Sequence, residues 1–265
     1  MRKTYECKKC GKKSFWKIRR NHLKCKYCKS ERSRKFGELN ILRNTCKKII
    51  YWFMLEQSVD RIQEQTNISR YSILKLLMIL RKQMLLDVPG VFDGIVEVDE
   101  TYLGGQWKNK RLSVKRNYQL TSRIKRGRGT PKQPVFGILC RSGLVWAELI
   151  TNAEAVNLQP LIQKKVKTGS TIMSDTWRGY TGIATKGYVH RLVKHEKDSY
   201  VSEEGNHING LEGFWGYLKR KLVAKGGIRK SRLHLYLGEY VWRYNHRHLN
   251  VKEQTKYLLN LVAKI

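Results

Sequence analysis

Asp99, Asp175 and Glu212 stand in three distinctive surroundings, VEVDETYLGG, TIMSDTWRGY and NGLEGFWGYLKRK. Carboxylates are scarce in this chain: 21 Asp and Glu face 54 Lys and Arg, a formal net charge of +33. Acids isolated in this way suit Mg²⁺ or Mn²⁺, hard cations that take oxygen ligands and complete their shells with substrate phosphates. Thirty-six residues separate Asp175 from Glu212, and Lys219 lies seven positions beyond Glu212. On a helix that step is two turns, so the Lys219 ammonium would project from the face that carries Glu212, suited to hold a phosphate near the metals. Two ions held by such acids would activate a water or a 3′-hydroxyl and stabilise the leaving oxygen of an in-line displacement. Taken singly, each acid also has a structural reading: a turn cap for Asp99, a helix N-cap for Asp175, an ion pair with Arg220 for Glu212.

A second constellation is made of thiols. Cys7-x-x-Cys10 and Cys25-x-x-Cys28, with fourteen residues between them, match the two knuckles of a zinc ribbon, whose four thiolates close a tetrahedral site. The surrounding segment is too short and polar to bury a core, so Zn²⁺ would supply its folding energy. A disulfide is the alternative use of the same spacing. Four cysteines fill a zinc shell, which leaves His22 as a surface residue. Cys46 and Cys140 lie in apolar surroundings and read as inert core thiols.

The bulk composition narrows the partners. A field this positive attracts polyanions, nucleic acid first among them, with a ribosomal or membrane-surface protein as the bland alternative. With 265 residues, 41% hydrophobic residues and seven Trp, the chain is a folded protein and not a basic tail. No apolar run reaches membrane-span length, and MRKTYECKKC lacks a signal-peptide core. The expectation is an intracellular protein of the bacterial cytoplasm and nucleoid, or of a nucleus, without a membrane partner.

The elements that must position these residues follow from periodicity. After the thiol-rich segment, residues 37–90 read as helical, and the stretch around Thr66-Asn67-Ile68-Ser69 divides two helices. That piece is either a helix-turn-helix, with Val59 and Ile62 packing the first helix and Ser69 capping a second that carries Arg70, Tyr71 and Lys75, or a plain helical hairpin. Asp87-Val-Pro-Gly90 marks a boundary. Beyond it, GIVEVDETYL reads as a strand ending at Asp99 and Glu100, PVFGILCR and LVWAELI as a hairpin, and AEAVNLQPLIQKKV as a helix. STIMSD is a strand ending on Asp175, YVHRLVKH a further strand candidate, and NGLEGFWGYLKRKLV a helix. The order is that of a ribonuclease-H-like α/β layer. Residues 106–135, acid-free, read as a flexible basic loop following DNA backbone.

VEVDETYLGG, SDTWRGY, HINGLEGFWGYLKRKL and YVWRYNHR together resemble bacterial insertion-sequence transposases of the ISXO-like type with a DDE catalytic domain, and the related eukaryotic Merlin-type elements. The resemblance implies a zinc ribbon over 1–36, a helix-turn-helix-like DNA-binding domain over 37–90, and a ribonuclease-H-like catalytic domain over 91–265. It implies an enzyme that binds element ends in double-stranded DNA, frees a 3′-hydroxyl by metal-assisted cleavage and joins it to target DNA. Pairing two ends implies a homodimer or higher oligomer. Asp99 and Asp175 match the first two catalytic acids, and Lys219 matches the lysine that follows the third. That third position falls on Asn209 or Glu212; Glu212 is favoured because a carboxylate binds a hard cation better than an amide. Ile208 and Leu211 replace the commoner Thr and Ile of the motif. A domesticated or inactive transposase acting as a DNA-binding regulator, or a hydrolytic ribonuclease-H-like nuclease, would share much of this sequence. Among the neighbours, Glu100 reads as structural, Trp177, Tyr180 and Trp215 as core, and His195 and His207 as hydrogen-bonded structural residues. WRYNHRH either closes the catalytic domain or touches DNA.

Overall fold

The computed structural model describes residues 6–7, 9–19, 22–33, 35–36, 41–105, 112–119, 130, 132–193 and 208–263. By packing, the chain divides into two units, Met1–Gln83 with His248–Ile265, and Met84–Arg247. His195 and His207 lie outside the described residues, as do most of 106–131.

In the first unit, strands β1 (Phe15–Arg19), β2 (His22–Cys25) and β3 (Glu31–Ser33) form an antiparallel meander. The two thiol pairs sit on matching knuckles. The Gly11 N–H donates to the Cys7 carbonyl at 2.8 Å, and the Lys29 N–H to the Cys25 carbonyl at 3.1 Å. Each knuckle ends on a left-handed residue, Gly11 at φ 68° and Lys29 at φ 60°. All four Sγ atoms fall within 4.8 Å of one another, the one such gathering of three or more His, Cys, Asp or Glu among the described residues. Tetrahedral zinc with bonds of about 2.3 Å needs sulfurs roughly 3.8 Å apart. The Cys7–Cys28 and Cys10–Cys25 separations of 3.5 and 3.6 Å fit it. The Ser30 hydroxyl lies 3.2 Å from Cys7 Sγ and 3.0 Å from Cys28 Sγ. It holds both thiols low, Cys7 down to about 6, whereas Cys10, against a backbone hydrogen bond at Lys12, is pushed up to about 12 by burial and the neighbouring thiols. The chain carries a four-cysteine cluster consistent with a zinc ribbon.

Helix α1 (Arg43–Met54) begins later than the periodicity from residue 37 predicts. Strands β4 (Lys35–Phe36) and β5 (Ile41–Leu42) pair there, and Leu42 is extended, so the backbone enters a ladder before it can enter a helix. Helix α2 (Val59–Thr66) starts on Ser58, whose side chain accepts from the Arg61 N–H, and stops on left-handed Asn67 at φ 52°. Helix α3 (Arg70–Leu86) opens after Ser69, whose hydroxyl accepts from the Ser72 N–H at 3.3 Å. Ile62, Ile73, Leu76 and Leu80 are fully buried, whereas Arg70, Tyr71 and Lys75 are exposed. Arg70 pairs with Asp60 of α2. Helix α8 (Val251–Val262), with an Asn250–Glu253 capping box, packs on α1. Cys46 is buried and its thiol is pushed up to about 12 by burial, which makes it inert. No described helix is long and apolar enough to cross a membrane.

The second unit is built on one sheet of β6 (Ile95–Leu103), β7 (Gln133–Cys140), β8 (Val145–Leu149), β9 (Thr171–Ser174) and β10 (Val189–Leu192), ordered β10-β9-β6-β7-β8. Strands β6, β7 and β8 are an antiparallel meander; β9 and β10 add in parallel on the other side of β6. This is a ribonuclease-H-like core. One sheet face packs Val96, Val98, Phe136, Ile138 and Ile172 against α5 (Ala155–Lys165). The other packs Val135, Leu139 and Val145 against α6 (Asn209–Val223) and α7 (Leu233–Asn245).

Two expectations are corrected. Within the basic insert, residues 112–119 are not loop but helix, α4 (Leu112–Gln119), and Gln133–Val135 belong to β7. LSVKRNYQ has neither Gly nor Pro, and its positive charge says nothing against a helix. The first core strand does not end at Asp99 and Glu100 but continues to Leu103, because β7 stays paired with it as far as Gln133.

Within WRYNHRH, Trp242, Arg243 and Asn245 are buried, whereas Arg247 and His248 are exposed. Arg243 pairs with fully buried Glu239 at 3.0 Å, and Asn245 bonds both the N–H and the carbonyl of Val145 on the outer strand, each at 2.8 Å. Arg247 donates to the Gly143 carbonyl at 3.0 Å in the β7–β8 turn. These contacts close the sheet unit.

Stripping zinc with a chelator should erase hydrogen-exchange protection across β1–β3 and leave that of β6, β7 and β9 unchanged. Mass spectrometry of the exchanged protein checks this, with a colorimetric dye to count the zinc released.

Candidate active site

Strand alternation sends Glu97 and Asp99 to the α6 face of β6, and Glu100 to the α5 face. The β6–β9 ladder pairs Ile95 with Thr171, Val96 with Ile172 and Glu97 with Met173, then stops. Continued by two residues, the same register brings Asp99 level with Asp175, which follows the last residue of β9. The two residues therefore stand where neighbouring parallel strands part, beyond the last pair of the β6–β9 ladder.

Each is held by the residues around it. The Trp215 indole, on α6, donates to Asp99 Oδ2 at 2.9 Å. The indole needs the glycine directly across the ladder from Asp99: a Cβ on Gly137 would come within 2.6 Å of its ring. Asp175 Oδ1 accepts the Trp177 N–H at 2.9 Å, and the buried Ser174 hydroxyl donates to the Asp175 carbonyl at 2.8 Å while meeting His190 Nε2 at 2.8 Å. Glu100, facing the other way, accepts from the buried Tyr180 hydroxyl at 2.7 Å. Tyr180 and Trp215 fill the two cores, and Trp177 packs at the edge of one.

Electrostatics link the group. Burial, then neighbouring Glu100, push the Asp99 carboxyl up to about 7; Asp175 pushes the same way, and the Trp215 hydrogen bond opposes them. Asp99 and Asp175 also raise Tyr180, after burial and Glu100. Lys219 is lowered by burial, countered by the attraction of Asp99 and reinforced by Lys132. Asp99 thus feels the charge of Asp175, and Lys219 that of Asp99. Asn209 and Glu212 occupy the first turn of α6 with exposed side chains, one turn before Trp215. Among the described residues the three acids are not drawn into the close gathering that the four thiols make. Even so, the donor set suits a divalent cation: hard oxygens, one of them on a carboxyl whose negative charge the protein leaves poorly compensated.

Sequence reading passed over Glu97, which is 1% exposed and accepts the Leu211 N–H at 2.9 Å. With Asp99 and Glu100 on the same strand, nothing in the local sequence sets it apart.

A model of the ISXO2-like transposase domain matches residues 91–245. An uncharacterized transposase-like protein of Haemophilus influenzae is 34% identical over 118 residues, 44% of this chain and 93% of that one. Among solved structures, the catalytic core domain of BIV integrase overlaps 55% of this chain and 80% of its own, at 16% identity and a TM-score of 0.34. A pre-cleavage Mos1 transpososome overlaps 82% and 78%, at 12% identity and a TM-score of 0.24.

The Asp99 shift has a testable sign. In the folded chain Asp99 keeps its proton to about pH 7, whereas the unfolded chain loses it near the ordinary 3.8. The folded state binds the extra proton between those values, so its stability falls as pH rises from about 4 to about 7. With zinc bound and no Mg²⁺ or Mn²⁺ added, Asp99→Asn should be more stable than the natural chain above pH 7. Discounted for partial solvent contact, the gap is on the order of 1–2 kcal/mol, closing towards pH 4. Thermal melts at pH 4.5 and 8 measure it.

Proposed function

Since the chain belongs to the ISXO2-like transposase domain family, we propose that it is a DNA transposase, binding element ends, cleaving them with divalent metal and joining the freed 3′-hydroxyl to target DNA. The observation that carries this reading is the shared level of Asp99 and Asp175 at the parting of β6 and β9, with α6 seated over Asp99 through Trp215. Asp99, Asp175 and Glu212 would hold Mg²⁺ or Mn²⁺, with Asn209 the alternative to Glu212. The bound ions would supply Lewis-acid activation of the attacking oxygen and charge stabilisation of the leaving one.

The chain's own residues do the positioning. Trp215 holds Asp99 in one orientation, and the turn closed by Trp177 N–H does the same for Asp175. Lys219, close enough to Asp99 to be felt by it, gives a phosphate oxygen a cationic partner beside the acids. The exposed Arg70, Tyr71 and Lys75, at the start of a helix capped by Ser69, suit a major groove, and the net charge of +33 supplies affinity for backbone phosphates. The four cysteines would hold Zn²⁺ and with it the fold of the ribbon. Synapsis of two ends would require at least two copies of the chain.

Asp99→Asn and Asp175→Asn should each lower cleavage of an end-containing duplex by at least about 10³-fold while binding of that duplex stays within threefold. Gel assays of cleavage beside filter binding test this, and retained cleavage would refute the assignment. Glu212→Gln and Asn209→Ala, assayed in parallel, identify the third ligand by which one loses cleavage. Joined product separates a transposase from a nuclease that only hydrolyses.

A further inference from the structure

Glu97 is the least expected charge in the sheet unit. It is 1% exposed, the most deeply buried of the three carboxylates on β6, and the displacement chemistry proposed above makes no use of it. Its carboxylate accepts the Leu211 N–H at 2.9 Å, a first-turn donor of α6 that it shares with the Ile208 carbonyl at 3.1 Å. Gly210 makes this approach possible: a Cβ there would stand 3.0 Å from Glu97 Oε2 and 3.2 Å from Oε1. The positive end of the helix and Arg141 Nε, 4.0 Å from Oε1, offset the buried charge.

The bond forms one half of a matched pair. Glu97 and Asp99 are two residues apart on one face of β6, a rise of about 6.7 Å. Leu211 and Trp215 are four residues apart on α6, a rise of about 6 Å. Leu211 N–H meets Glu97, and the Trp215 indole meets Asp99. Two attachments of nearly equal spacing align the helix along the strand and fix its rotation. Glu212 lies between them in sequence, so its place is set by both.

We propose that Glu97 is a positioning residue: by anchoring the first turn of α6 to β6, it sets Glu212 at the divalent-ion site with Asp99. This rests on the reading that Asp99 and Glu212 bind the ion together. Removal of such a supporting partner costs ten- to a hundredfold in metal affinity.

The test is Mn²⁺ binding to the zinc-loaded full-length chain by titration calorimetry, alongside Mn²⁺-dependent cleavage. Glu97→Met keeps the length of the side chain but cannot accept the N–H, and should weaken Mn²⁺ binding at least about tenfold. Glu97→Gln, whose amide oxygen accepts the same bond, should return it to within about threefold. In a Glu212→Gln background, Glu97→Met should weaken binding no further, because its effect runs through Glu212. Gly210→Ala, which crowds the carboxylate without removing it, should weaken binding in the same direction and serves if Glu97→Met does not fold. Wild-type affinity in Glu97→Met or Gly210→Ala, or an equal loss on top of Glu212→Gln, would overturn the proposal. If Asp99→Asn and Glu212→Gln themselves bind Mn²⁺ normally, the metal-site reading falls and takes the proposal with it; if they lose binding and Glu97→Met does not, only the positioning role falls.

Discussion

Three carboxylates within four residues of one core strand, Glu97, Asp99 and Glu100, set the terms for the sheet unit. Ionised side chains at this density cannot share a low-dielectric interior without separate compensation. The pleat divides them between two faces, and each meets a different donor: a helix N-terminal amide for Glu97, an indole for Asp99, a phenol for Glu100. Hydrogen bonds to charged groups contribute about 1.5–3 kcal/mol each, and losing a partner costs more, so these donors cannot be exchanged freely. Burial, with Glu100 beside it, raises the Asp99 carboxyl, which marks a place where an external cation has much to offer.

From this follows the tight fit of α6. Its first turn and its tryptophan both bond β6, and two glycines clear the way, Gly210 for a carboxylate and Gly137 for the indole. Neither glycine has a left-handed backbone; what each position demands is the absence of a side chain. At the far edge of the sheet, Asn245 stands in for a neighbouring strand by bonding both backbone groups of Val145, which stops the ladder from offering that pair to another chain.

The zinc-ribbon segment follows a different logic. Its strands are short and few of its side chains are buried, so the geometry of four sulfurs takes the place of a hydrophobic core. The helices beyond it are apolar enough to pack by themselves: Ile49, Ile50, Ile62, Ile73, Leu76 and Leu80 are all fully buried.

What the sequence determined by itself was much of the short-range structure, though not α4 or the β4–β5 pairing. Cysteine spacing specified the knuckles, period-two alternation specified that Asp99 and Glu100 take opposite faces of β6, and the Asn67 and Ser69 signals divided α2 from α3. Recurring motifs carried the family and, with the order of elements, the ribonuclease-H-like core. Tertiary structure decided what depends on partners far along the chain. Strand β6 runs past Asp99 because β7 continues to pair with it, and Asn245 and Arg247 of WRYNHR engage a hairpin a hundred residues earlier because it offers them backbone groups. Glu97 meets Leu211 across 114 residues, and no local pattern distinguishes a buried cap from another acid in a motif. Local preferences act over a turn or a few strand residues, whereas a charge in the core is placed by whichever distant donor packing brings to it.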